Sequence, residues 1–171
     1  LIIFVRKIDP NDSRMGFFSE WLNAFAKKVT AIDVITWQES VSEGLSSNVT
    51  IHSLSGSKLK KTIQLQKKLF KILKKADSLY VHMNPEYALV SFPLCFLFRI
   101  PIIQWYAHGA VTVRRKIMEI IARDIVTSSE GGFQKPLFNK KVHIVGQGID
   151  TDLFRFSQNK IQKSFQIIQV S

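Results

Sequence analysis

Short apolar runs alternate along this chain with stretches of helical periodicity, and no other property narrows the fold as much. Leu1–Val5, Ile32–Trp37, Val49–Leu54, Ser78–His82, Ile102–Tyr106, Ile125–Thr127, Val142–Val145 and Phe165–Val170 read as strands. Gly16–Val29 reads as a helix, with Phe17, Trp21, Leu22, Phe25 and Val29 close to three-to-four spacing. Leu59–Leu73 and Val113–Ala122 read as further helices, and Ser129 as the N-cap of a short helix running to Phe138. Strands alternating with helices imply a parallel sheet with helices on both faces. The strands are continuous apolar runs, as expected when both sheet faces are covered. The expected fold class is therefore α/β and Rossmann-like.

Tyr87–Tyr106 is the most apolar stretch, and Pro93, Arg99 and Pro101 interrupt it. A spanning helix needs about 20 uninterrupted apolar residues. The better parse is a buried helix, a turn at Arg99-Ile100-Pro101 and an interior strand, since proline suits a strand's first position and disfavours helix just before it.

The chain has 171 residues, 46 % hydrophobic and 22 % charged, which fits one globular domain that needs no metal or disulfide staple. Its single cysteine, Cys95, lies in an apolar run and reads as a small buried hydrophobe, so a reducing, cytoplasmic setting is expected. The opening run reads as a strand cut near its start. Residues 1–156 are assigned to one domain, 157–163 to a linker within the polar stretch Thr151–Lys163, and 164–171 to the first strand of a second domain.

In open α/β sheets ligands bind outside the carboxyl ends of the strands, so the polar residues after each strand are the candidates. Gly16 follows the first of these loops at a helix start, where free amides and the dipole favour phosphate. Arg14 shares that loop. His82 and Asn84 follow the fourth strand, and His108 the fifth, where an imidazole suits hydrogen bonding to phosphate or a sugar hydroxyl. His52, His82, His108 and His143 lack metal-ligand spacing, and Asp150-Thr151-Asp152 reads as a loop, so no metal is expected.

A net charge of +11 implies anionic company. Lys58, Lys60, Lys61, Lys67, Lys68, Lys71, Lys74 and Lys75 fall within one helical stretch that contains no acid. Lys60, Lys67 and Lys74 repeat every seven residues and share a face with Lys71, whereas Leu59, Ile63, Phe70 and Leu73 read as the opposing core face. Solvation alone accounts for such a face. Attraction to anionic lipid is the main rival, giving a peripheral place on the cytosolic side of a membrane. Nucleic acid is not expected, because no aromatic–basic interleaving accompanies the charge.

Ala122-Arg123-Asp124-Ile125-Val126-Thr127-Ser128-Ser129-Glu130, Phe133, and Lys141 through Asp150 with Phe154 resemble glycosyltransferase family 4. The resemblance runs over nearly the whole chain. Its more specific part is Gly148-Ile149-Asp150 with Phe154, and the rest is generic α/β. It implies the N-terminal, acceptor-side half of a GT-B enzyme: two Rossmann-like domains across a cleft, retaining and metal-independent. The donor would be a nucleotide-sugar and the acceptor a glycan or lipid-linked molecule. Carried over by position, Gly16 would lie near the donor phosphates, His108 would contact the transferred sugar, and Arg14, His82, Asn84, Ser129 and Glu130 would line the cleft. Lys60, Lys67, Lys71 and Lys74 would face the membrane.

Two departures stand out. Met15-Gly16 replaces the paired glycines of many members, and the C-terminal half with its paired glutamates is missing from these residues, so the chain alone is expected to be inactive. The alternative from another class is a non-catalytic Rossmann-like module that binds nucleic acid or another anionic partner. A sugar-nucleotide epimerase of GT-B fold is a third reading, which the Gly148-Ile149-Asp150 signature disfavours.

Overall fold

The computed structural model describes residues 1–12 and 15–148. In chain order these form β1 (Ile2–Val5), α1 (Phe17–Ala26), β2 (Ile32–Thr36), β3 (Val49–Ser53), α2 (Lys58–Ile72), β4 (Leu79–His82), α3 (Pro85–Leu97), β5 (Ile102–Trp105), α4 (Val113–Ile121), β6 (Asp124–Thr127) and β7 (Val142–Ile144). The strands make one sheet in the order β3-β2-β1-β4-β5-β6-β7, every neighbouring pair parallel. Arg14, the Ile149-Asp150 end of the signature, the linker and the strand at 164–171 lie outside the described residues.

The two-residue period of a strand divides the core between the sheet faces. Ile3 and Val5 join Ile32 and Val34 beneath Phe18, Leu22 and Ala26 of α1. Ile2 and Phe4 point the other way, into a core with Leu65 and Leu69 of α2, Ala88 and Cys95 of α3, and Met118 of α4. Helices therefore cover both faces, one on the first and three on the second. β2 and β3 are joined without a helix, and the Asn23 side chain holds that connection by accepting from Ser46 N and donating to Gly44 O, at 2.8 Å each. Asn48, which matches a glycosylation tripeptide, donates through its amide nitrogen to Ala26 O and Val29 O at the end of α1.

Helix starts follow local chemistry. The Ser57 hydroxyl accepts from Lys60 N, and the Thr112 hydroxyl accepts from Arg115 N. Pro85 opens α3 where an amide proton has no intrahelical partner. Arg99, at φ 56°, turns the chain from α3 toward Pro101 and β5. The long apolar stretch thus splits at Arg99 and Pro101, while Pro93 lies within α3, and among the described residues no helix is long and apolar enough to cross a membrane.

Two expectations are corrected. Ser129–Phe138 is not a helix: a 3-10 turn covers Glu130–Gly132, the Ser129 side chain caps nothing, and a second 3-10 turn covers Asn139–Lys141. Gly131-Gly132 and Pro136 within that window are the residues that oppose helix most. The backbone amides of Leu137 and Phe138 donate instead to the Glu119 carboxylate. The second correction concerns α2, whose buried stripe is Leu65, Leu69 and then Leu73, spaced by four. Leu59, Ile63 and Phe70, expected in the core, are exposed beside the lysines.

Candidate functional site

Strand order reverses between β1 and β4, and the crevice outside their carboxyl ends is where such sheets bind ligands. At β4 the chain leaves the sheet through Met83, whose φ of 64° is a conformation an L-residue rarely adopts. The turn is held by Met83 N donating to Trp105 O and Asn84 N donating to His82 O, at 2.8 Å each. It delivers Asn84 as the first residue before α3, with its side chain not used as a cap.

The loop after β5 meets this turn. His108 N donates to Gly132 O at 2.8 Å, and Ala110 N donates to His108 Nδ1 at 3.1 Å. With Nδ1 accepting, the neutral imidazole carries its proton on Nε2. Tyr106 packs edge-on against Phe133, and its hydroxyl donates to Ala110 O. Burial raises the Tyr106 pKa above its ordinary value, so the phenol stays a neutral donor. Between the turn, this loop and the start of α4 lies a cavity of about 480 Å³. Asn84, Glu86, Tyr106, His108, Thr112 and Arg114 supply its polar lining. Arg114 and Glu86 pair across it at 2.6 Å.

Gly16, His82, Ser129 and Glu130 are not among the residues that line this cavity. His82 ends β4 but is buried among rings, 4.7 Å from Phe18 and 6.3 Å from Trp21 between centroids. Burial pushes its pKa from 6.5 down to about 4, so it is a neutral packing residue at ordinary pH. Ser129 and Glu130 follow β6 on the same sheet edge, exposed and outside the lining of the cavity. Gly16 closes the first loop. Its amide donates to Asp12 O, and a Cβ there would stand 2.7 Å from Pro10 O and 2.9 Å from Asp12 O. The glycine is thus required by the loop's own carbonyls, whatever the α1 terminus binds.

No family model and no curated protein matches the chain. Solved structures do match. HepE of Anabaena, crystallised with UDP and glucose, superposes on 92 % of the chain at a TM-score of 0.64 and 11 % identity. MurG of Acinetobacter baumannii matches 93 % of it at 0.58 and 10 %. The UDP-GlcNAc 2-epimerase of Methanocaldococcus jannaschii matches 85 % at 0.54 and 14 %. The fold is that of a GT-B half. The chain spans about half of each of these proteins: 46 %, 47 % and 45 %. Identity this low carries the fold and nothing finer.

Within this GT-B unit, four lining residues escaped the sequence reading. Tyr106 reads in the sequence as a strand's last residue, and Thr112 carries no signal there beyond preceding the Val113–Ala122 helix. Glu86 and Arg114 are 28 positions apart, and only the parallel packing of α3 beside α4 joins them. Among the described residues no three His, Cys, Asp or Glu side chains cluster as a metal site. His52 pairs with Asp33 at 2.7 Å and His143 with Asp124 at 3.1 Å, each an edge strand tied to its inner neighbour.

Proposed function

We propose that this chain is the N-terminal, acceptor-side half of a retaining, metal-independent glycosyltransferase that moves a sugar from a nucleotide-sugar to a glycan or lipid-linked acceptor. The observation that carries the proposal is the His108 cavity at the carboxyl edge of β4 and β5, in a fold shared with UDP-bound HepE. His108 would donate from Nε2–H to a hydroxyl of the transferred sugar while Ala110 N holds the ring in that tautomer. Asn84 and the Glu86–Arg114 pair would bind acceptor hydroxyls from the other side. Ser129 and Glu130 would extend the cleft wall, and Arg14 its first loop. The donor phosphates would lie at the α1 terminus that Gly16 permits, with the opposing domain supplying the rest of the donor site and the chain alone inactive.

The test is sugar transfer by the full-length gene product against a panel of nucleotide-sugars, with His108→Ala and His108→Gln beside the wild type. Donor electrostatics of this kind are worth about 10²–10³ in turnover, so His108→Ala should lose that much with its fold unchanged. Near-normal turnover would return His108 to a loop-pinning role. The match to an epimerase favours one second reading, conversion of the nucleotide-sugar itself. The same assay without acceptor separates the two, since an epimerase changes the sugar while it stays attached to its nucleotide.

A further inference from the structure

Arg115 and Glu119 lie buried one turn apart on α4, with Arg115 Nη2 3.5 Å from Glu119 Oε2. Burying two charges is costly, and a packed apolar pair of similar volume is often as stable or more so. Stability alone therefore does not account for them. The segment they grip, residues 128–138, contains one 3-10 turn and neither strand nor α-helix. Glu119 Oε1 accepts from the backbone amides of Leu137 and Phe138, just after Pro136. Arg115 Nη1 donates to Lys135 O at 3.4 Å, where the chain turns at φ 47°. The guanidinium also stands 3.8 Å from the centre of the Phe133 ring.

From this segment the contacts run to His108 along two lines. Phe133 meets Tyr106 edge-on at 5.8 Å between ring centroids, and the Tyr106 hydroxyl donates to Ala110 O at 3.3 Å. Ala110 N in turn donates to His108 Nδ1. On the second line, Gly132 O accepts from His108 N. Gly132 comes this close because it lacks a side chain: a Cβ would stand 2.5 Å from Thr127 Oγ1 and 3.3 Å from Ala107 Cα. The two bonds that fix His108, at its amide and at Nδ1, thus both lead back to the segment that the ion pair holds.

We propose that Arg115 and Glu119 are positioning residues for His108. They clamp residues 133–138, and through Gly132, Phe133 and Tyr106 the clamp holds the imidazole in place against the cavity. The effect on turnover rests on the reading of His108 as the donor to the transferred sugar. A group on a loop needs such a clamp, because a misplacement of about 1 Å costs about 10²-fold in rate.

The test combines Arg115→Met with Glu119→Leu, which removes both charges and keeps the core filled. Amide hydrogen exchange of the purified chain, followed by NMR, compares His108 N and Ala110 N with the amides of β5. Exchange at His108 and Ala110 should quicken at least about tenfold in the double variant, while the β5 amides stay as protected as in the wild type. Phe133→Leu leaves the pair in place and cuts its link to Tyr106, so it should quicken Ala110 more than His108. Circular dichroism checks folding, and if the double variant does not fold, Phe133→Leu carries the comparison. Unchanged exchange at both amides in a folded variant overturns the proposal. So does an equal quickening of β5, since the pair then serves general stability. In the full-length gene product, kcat of the double variant should fall about 10–100-fold with little change in KM for the donor. Normal turnover there, beside a loss in His108→Ala, overturns the proposal. Normal turnover in both refutes the role of His108 instead, and the exchange result alone then decides the clamp.

Discussion

His82 makes the protein's stability sensitive to mild acid, by an amount that follows from its surroundings. The imidazole is packed against Phe17, Phe18 and Trp21 and takes a proton only near pH 4, whereas in the unfolded chain it does so near 6.5. The folded state thus refuses a proton that the unfolded state accepts. The stabilisation is complete above pH 6.5, is lost as pH falls, and levels off below pH 4. At about 1.36 kcal/mol per pH unit of separation, the loss is about 2 kcal/mol at pH 5 and about 3 kcal/mol at pH 4. The assay is urea unfolding followed by tryptophan fluorescence at pH 7 and pH 5, for the wild type and for His82→Gln, which stays neutral throughout. Carboxylates titrate alike in both, so the wild type should lose about 2 kcal/mol more than the variant over this interval. Equal losses would refute the reasoning, and so would a larger loss in the variant.

Arg115 and Glu119 form a second sensitive point. They are 1 % and 0 % exposed, 3.5 Å apart, with the guanidinium 3.8 Å from the centre of the Phe133 ring. Arg115→Met should destabilise by about 3–5 kcal/mol, because it strands a buried carboxylate. Adding Glu119→Gln should recover part of that, since an amide oxygen still accepts from Leu137 N and Phe138 N. Thermal unfolding of the single and double variants reads the coupling, and strictly additive losses would show that the two side chains act separately.

The sheet was legible because parallel strands covered on both faces leave continuous apolar runs, and because Pro101 and Arg99 mark where a long run must break. Strand positions after His82 and before His108 also indicated the ligand edge. Window 129–138 misled because Ser129 resembles a helix cap, while the carboxylate that organises the segment sits on α4, about 20 residues earlier. Helix α2 misled differently. Five lysines and seven aliphatic or aromatic residues allow more than one apolar stripe in Leu59–Leu73, and packing against α3 selected Leu65, Leu69 and Leu73. Arg115 and Glu119 were invisible as core, since charged residues on an amphipathic helix look like its solvent side. Their burial is affordable only because Phe133 and the backbone of 135–138 close over them.

Cys95 gives this molecule a built-in clock. It is the sole cysteine, it is buried between α3 and the sheet, and burial pushes its thiol up to about 12. Alkylation at neutral pH must therefore wait until α3 lifts, so the labelling rate counts openings of that helix without any engineered probe.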